Sequence, residues 1–349
     1  METPAAPSCP IPLREYPRVV LAHGGGGRLG QHLVQKMFRA AWGNPLLDLL
    51  HDGAMMTVAA GRLAFTTDSY VVHPLFFPGG DIGSLAVFGT VNDLAVCGAR
   101  PLCLSCGFIL EEGLEMEELW RVVRSMGEAA REAGVPIVTG DTKVVEKGKG
   151  DRLFVNTSGI GLIPPGVDIS PRGARPGDRI ILNGPVASHG VAIMSVREGL
   201  EFETAVRSDS APLHNLVAAM LEAAPEIRVL RDPTRGGVAT VLNEIASASG
   251  VGIEIRERDI PVPEGVRGAC ELLGLDPLYV ANEGKLLAFV PPAAANRVLA
   301  VMRTLEAGKE SVVIGEVTDA HPGTVVMESS IGGRRMVSML SGEQLPRIC

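Results

Sequence analysis

The chain has 349 residues, 46% of them apolar, which is enough for two sizeable cores and near the limit for one. Lys and Arg number 32 against 40 Asp and Glu; the net charge of -8 argues against a general polyanion-binding surface, leaves local phosphate sites open, and makes nucleic acid an unexpected partner. Its apolar stretches are short and interrupted by Gly, Asp or Arg, so no membrane span is expected.

Residues 1–17 are proline-rich and aperiodic and read as a mobile lead-in. They lack the apolar region of a secretory leader, which makes a reducing cytoplasm the expected home of the six cysteines. "RVVLA" reads as a short strand, the glycines from Gly24 to Gly27 as a turn or loop, and Leu29 to Trp42 as a helix. Gly25, Gly27 and Gly30 have GxGxxG spacing, but the acidic residue expected about 20 positions on falls at Asp48 or Asp52, in no clear strand. A flexible active-site loop is preferred to a nicotinamide-dinucleotide site or a structural turn, and no Gly-Lys-Ser/Thr follows to make a Walker A motif.

"RLAFTTDSYVV" predicts a strand, and "DIGSLAVFGTVNDLAVCGARP" a helix whose small side chains permit close packing. In the strand "CLSCGFILEEG", Cys103 and Cys106 form a CxxC; one pair supplies only two ligands, so small buried side chains are the preferred reading. "EMEELWRVVRSMGEAAREAGVP" is an amphipathic helix, and "IVTGDTKVV" and "DRLFVNTSGIGLIP" are strands. Proline and glycine concentrate in "PPGVDISPRGARPGD", which marks a domain boundary. The second half repeats the alternation of strands and helices to "SVVIGEV" and "TVVMES", after which the glycines from Gly332 suggest an arm. The expected division is a lead-in with glycine loop at 1–45, an N-terminal domain at 46–170, a C-terminal α/β domain at 171–331, and a flexible tail at 332–349.

Asp68 in "TTD", Asp81 in "PGGD", Asp93 in "VND" and Asp141 in "TGDTK" supply hard oxygen donors at or near element ends, which suggests a metal-triphosphate site without a P-loop. Each taken singly also reads as a helix cap or solvated turn. Lys143, two residues after Asp141, shares its side of an extended segment and can meet a phosphate or an oxyanion. "LRDPTRGGVAT" offers Asp232, Arg235 and Gly236 at a helix start suited to an anion. "ANEGK" offers Asn282 and Glu283, the latter either a base from the second domain or a surface turn. Cys349 closes the chain, and a thiol there can be a carried nucleophile or incidental.

Together "HGGGG", "FFPGGDIGSLAVFGTVNDLAVCGARP", "TGDTKVV", "RDPTRGGVATVLNEIA", "NEGK" and the final "PRIC" resemble the HypE family of hydrogenase maturation proteins. That family is a branch of the superfamily of aminoimidazole ribonucleotide synthetase, selenophosphate synthetase and thiamine monophosphate kinase. The likeness runs from about Val19 to Cys349. It implies a two-domain PurM-like (AIR synthetase-like) α/β (α+β) fold, and a homodimer joined through the N-terminal sheets. It also implies ATP- and Mg²⁺-dependent dehydration of a carbamoyl group carried as a thiocarbamate on Cys349, giving a thiocyanate. HypF would load the thiol, and the HypC–HypD complex would accept cyanide for the iron of nickel–iron hydrogenase. By motif position, Asp68, Asp93 and Asp141 would hold Mg²⁺ and ATP, with Asn92 and Thr142 nearby and Asp81 as a further ligand. His23 with Gly25 and Gly26 would fold over the nucleotide, Asp232, Arg235, Gly236 and Asn282 would complete its site, Lys143 would steady the transferring phosphoryl or the carbamoyl oxygen, and Glu283 would take a nitrogen proton. Cys97 stands where relatives carry an apolar residue, and packing is its expected role. Competing expectations are a small-molecule kinase or synthetase of the same superfamily, a non-catalytic scaffold for metallocentre assembly, and an oxidoreductase built on the glycine run.

Overall fold

The computed structural model describes residues 16–24, 28–49, 54–58, 60–199, 206–340 and 347–348. A helical run over residues 28–42 comprises α1 (Arg28–His32), a π-type stretch (Leu33–Phe38) and α2 (Arg39–Trp42). Leu33, Met37, Phe38, Ala41 and Trp42 are buried on one side of it, so this stretch belongs to the first core and not to a loose lead-in. The expected "RVVLA" strand does not form. Leu21–Gly24 is a 3-10 turn, and Val19 instead exchanges backbone bonds with the loop before α4, where there is no longer strand to pair with.

β1 (Arg62–Tyr70) leads to a small hairpin of β2 (Phe76–Phe77) and β3 (Gly80–Asp81), then to α3 (Ile82–Val96), β4 (Arg100–Glu111), α4 (Met116–Ala133), β5 (Ile137–Val145) and β6 (Leu153–Ile163). The sheet order is β1-β6-β4-β5, with β4 and β5 parallel and the other pairs antiparallel. α3 packs closely: a Cβ on Gly83 would lie 2.5 Å from the Val122 carbonyl oxygen of α4, and one on Gly89 only 2.2 Å from the Tyr70 hydroxyl of β1. α4 ends where Gly134 adopts φ +65, a left-handed cap that glycine takes up at no steric cost.

Register decides which side of this sheet each side chain takes. Asp68 pairs with Thr157, which pairs with Cys106, and these share the face covered by α3 and α4. Asp141 pairs with Gly107, which pairs with Asn156, so Asp141 and Lys143 take the opposite, open face. That face also presents Leu63, Ile109 and Phe65, the last 70% exposed.

The second sheet is seven-stranded, in the order β13-β12-β9-β11-β7-β10-β8. Its strands are β7 (Arg179–Leu182), β8 (Val229–Arg231), β9 (Gly252–Arg256), β10 (Leu287–Val290), β11 (Val312–Thr318), β12 (Val325–Glu328) and β13 (Arg334–Val337). Its helices are α5 (Ser188–Arg197), α6 (His214–Ala223), α7 (Gly237–Ser249), α8 (Glu264–Leu273) and α9 (Pro292–Met302). α7 and α8 build one core with this sheet, α6 and α9 another. Ala95 and Val96 of α3 join the latter and tie the halves together.

The expectation of an arm from Gly332 onward is corrected at two points. Arg334–Val337 add β13 to the sheet edge by pairing with β12, and Val337 is buried. Ile348 is only 2% exposed and sits in the first core with Ile193 of α5 and Ala281.

Candidate active site

Carboxylates from both halves meet in the cleft between them. Asp93, on α3, accepts a 2.8 Å hydrogen bond from the Thr66 hydroxyl of β1; burial and the charge of Asp68 push its pKa up, against Thr66, Arg231 and Arg235. Asp232 follows β8 and is pushed up to about 7, chiefly by burial and then by Asp93. Glu283, 4% exposed, is held well above the usual carboxyl range by burial and by Asp232, Asp209, Asp68 and Asp93. Its Oε1 is buried without a hydrogen-bond partner among the described residues. Gly236 and Gly237 open α7 beside these groups with φ of +74 and +60, and a Cβ at Gly237 would meet the Leu278 carbonyl oxygen at 2.4 Å.

Three expected ligands have other employment. Asp81 caps α3: its Oδ1 accepts from the Gly83 and Ser84 amides at 2.7 and 3.2 Å, while the Ser84 hydroxyl accepts from the Asp81 amide. Its carboxylate is therefore taken up by a helix end beside α4. Asn92 donates to the carbonyls of Ala211 and Glu283 and accepts from the Leu213 amide, bridging the two halves. Asn282 accepts from the Ala187 amide and donates to the carbonyls of Pro233 and Val280, which fixes the backbone leading to Glu283.

Asp141, Thr142 and Lys143 line a separate cavity of about 580 Å³ between β5 and the helical run 28–42. Phe38, Trp42 and Phe108 stack in its wall, with ring centroids 5.1 to 6.0 Å apart. His23 closes one side; its Nδ1 accepts from the Val20 amide at 3.0 Å, and burial lowers its pKa, so the ring is neutral. Lys143 Nζ pairs with Asp141 at 3.1 Å, both largely exposed.

The aspartates expected on one ion are thus divided. Asp68 and Asp141 occupy the two edge strands of a four-stranded sheet and point to opposite faces, about 14 Å apart at roughly 4.8 Å per strand step. Within one chain they cannot share a cation. Gly25, Gly26 and Cys349 lie outside the described residues.

The chain end itself approaches the cleft. The Ile348 carbonyl faces His189 Nε2 at 3.0 Å, and Arg347 bonds to the Val71 carbonyl and pairs with Asp151. Among the described residues Cys97, Cys103, Cys106 and Cys270 are free thiols, and burial holds Cys106 and Cys270 well up the scale, Cys270 at about 11. Sequence reasoning missed His189, Arg197, Asp151 and Asp209. They sit in no motif, and only the fold brings them to the chain end and to Glu283.

Residues 50–163 match the AIR synthase related protein N-terminal domain and residues 175–328 the corresponding C-terminal domain. The chain is 58% identical over 331 residues to the carbamoyl dehydratase HypE of Azotobacter vinelandii, covering 95% of this chain and 97% of that protein. It is similar to a crystal structure of the hydrogenase maturation protein HypE in complex with ATP, at TM-score 0.91 and 53% identity over 95% of this chain and 99% of that one. A structure of a HypE–HypF complex aligns at TM-score 0.78 and 48% identity, covering 90% of this chain and 100% of its counterpart.

Proposed function

Because the chain belongs to the AIR synthase related family and, within it, to the HypE carbamoyl dehydratases, we propose that its cleft uses ATP to dehydrate a carbamoyl group held on Cys349. The chemistry balances in two steps. The carbamoyl oxygen of the thiocarbamate attacks the γ-phosphorus, ADP leaves, and the nitrogen gives up one proton. The C–O bond then breaks, inorganic phosphate carries the oxygen away, and loss of the second nitrogen proton leaves S–C≡N. Turning a poor leaving oxygen into phosphate is what ATP contributes.

One observation supports this at residue level: of the two residues before Cys349, Arg347 bonds to the Val71 carbonyl, and Ile348 bonds to His189 and lies in the same buried cluster as Ala281, two residues before Glu283. Asp68, Asp93 and Asp232 lie near enough for their charges to interact, with Arg231 and Arg235 offsetting them only in part; they form no preassembled metal site among the described residues, but would supply hard oxygens to a Mg²⁺ that arrived with the nucleotide phosphates. The aromatic-walled cavity beside β5 suits the adenine, with Gly24 and Gly30 in its lining. Lys143 and Asp141 then need a second copy of the chain to meet the acidic cleft, and the open face with Leu63, Phe65 and Ile109 is the surface offered for that homodimer.

HypF is the loading partner in this reading, in keeping with the HypE–HypF complex of a 48%-identical relative. The HypC–HypD complex is the cyanide acceptor, a role that rests on the family resemblance. No helix among the described residues is long and apolar enough to cross a membrane, and a cytoplasmic setting is consistent with free thiols.

Intact-protein mass spectrometry tests the reading directly. Incubation with the carbamoyl donor adds about 43 Da at Cys349, and ATP then removes about 18 Da, as the covalent chemistry requires. A Cys349→Ala chain binds ATP and acquires neither change. Mapping of the adduct to any other cysteine overturns the assignment.

A further inference from the structure

The Ile348 carbonyl can only accept a hydrogen bond, so the 3.0 Å contact to His189 Nε2 assigns the ring hydrogen to that nitrogen. His189 Nδ1 then accepts from the Ser208 hydroxyl at 2.8 Å, and Ser208 Oγ in turn accepts from the Ser210 amide at 3.1 Å. The ring is fully buried and edge-on to Phe77 at 5.5 Å; burial lowers its pKa and keeps it neutral. The residue after Ser208 is Asp209, whose Oδ1 accepts from the Glu283 amide at 3.3 Å, with Lys285 Nζ 3.5 Å from its other oxygen. A short chain of contacts therefore links the chain end, through His189 and the 208–209 backbone, to Glu283.

We propose that His189 is a positioning residue: it seats the thiol-bearing end of the chain, and through Ser208 it holds that end in register with Glu283. The proposal rests on the dehydratase reading above. Arg347 supplies the other half of the seat. Its φ of +56 lies in the left-handed region that disfavours a side chain, a conformation that persists only where neighbours impose it. They do so from both sides: the Arg347 carbonyl accepts from the His73 amide at 3.2 Å and from the Arg197 guanidinium, while its own guanidinium bonds to the Val71 carbonyl at 3.0 Å and pairs with Asp151. The socket reads backbone carbonyls and one guanidinium, so it recognises an Arg–Ile chain end whether or not the thiol is loaded.

Trypsin cleaves after arginine, and the seat shields the Arg347–Ile348 bond, so release of the terminal Ile–Cys dipeptide from the full-length protein reports seating by intact mass. His189→Leu removes the donor at similar volume. Its dipeptide should be released roughly tenfold faster, the effect expected of one buried hydrogen bond. Dehydration of the preloaded thiol should slow by a similar factor, with loading and ATP affinity unchanged. His189→Gln, whose amide still donates, should recover most of both. Equal protection in His189→Leu and wild type overturns the proposal, and so does lost protection with an unchanged dehydration rate. Should His189→Leu fail to fold, Ser208→Ala leaves the core intact and removes the partner of Nδ1; it should raise cleavage about threefold, and no rise overturns the proposal. The trypsin assay needs neither donor nor ATP. If the seat behaves as expected while wild-type protein never forms a thiocyanate, it is the assignment of Cys349 as carrier that fails.

Discussion

In the cleft, burial and then the charges of Asp232, Asp209, Asp68 and Asp93 push the Glu283 pKa well above the usual carboxyl range. Positive charge arriving among Asp68, Asp93 and Asp232 would lower that pKa and favour the carboxylate form that the proposed base requires. Glu283→Gln should therefore slow dehydration of the loaded thiol by roughly 10² to 10⁴-fold while leaving ATP affinity nearly unchanged, as single-turnover mass spectrometry and calorimetry would show. Asp232 carries a related cost. Its folded pKa of about 7 exceeds the unfolded value of about 3.9, so the folded state binds the extra proton and stability falls as pH rises between those values. Asp232→Asn should raise the melting temperature of the metal-free protein by a few degrees at pH 8, and the gain should vanish near pH 4. A gain that instead grows toward acid would place the repulsion elsewhere.

α3 is the element on which both sheets depend, since it lies against β1, meets α4, and contributes Ala95 and Val96 to the core of the second half. Gly89→Ala drives a methyl into the Tyr70 hydroxyl and should cost about 1 to 3 kcal/mol, read as a lower thermal midpoint. This helix was legible in the sequence because its small residues and Asp81 cap leave a local signal, and α4 because its apolar stripe repeats with helical period. "RVVLA" misled because β-branched composition says nothing about whether a partner strand is available. The tail misled for a similar reason: the glycines at 332 and 333 mark a turn, and the chain beyond them is held by β12 and by His189, both distant in sequence. The aspartates were legible as a group, but their division between two faces of a sheet depends on cross-strand register, which no single segment encodes. Asn92 and Asn282 fell inside recognisable motifs, yet their amides bind backbone, and only the packed chain tells such a brace from a ligand.

At the scale of the whole molecule, the placement of Lys143 and Glu283 makes a prediction about mixtures. If the site is built from two copies, a mixed dimer of Lys143→Ala and Glu283→Gln contains one intact site and one doubly impaired one. Mixing the two impaired proteins, with exchange of subunits, should restore dehydration to about half the parental rate per mixed dimer, by counting sites under closed two-fold symmetry. No recovery on mixing would place Lys143 with the Glu283 of its own chain. Phe65→Asp, on the open face, should shift the protein toward monomer in sedimentation and lose activity with it. The seating of Ile348 also fixes the kinetic order of the cycle. A reactive group delivered by its own polypeptide meets the catalytic groups at a local concentration set by tether length and not by how much protein is in solution. Tenfold dilution of the loaded protein should leave the half-time of dehydration untouched, while the encounters proposed to load the thiol and unload its product should slow in proportion; on that proposal the chain is consumed and renewed once per cyanide, as a reagent is.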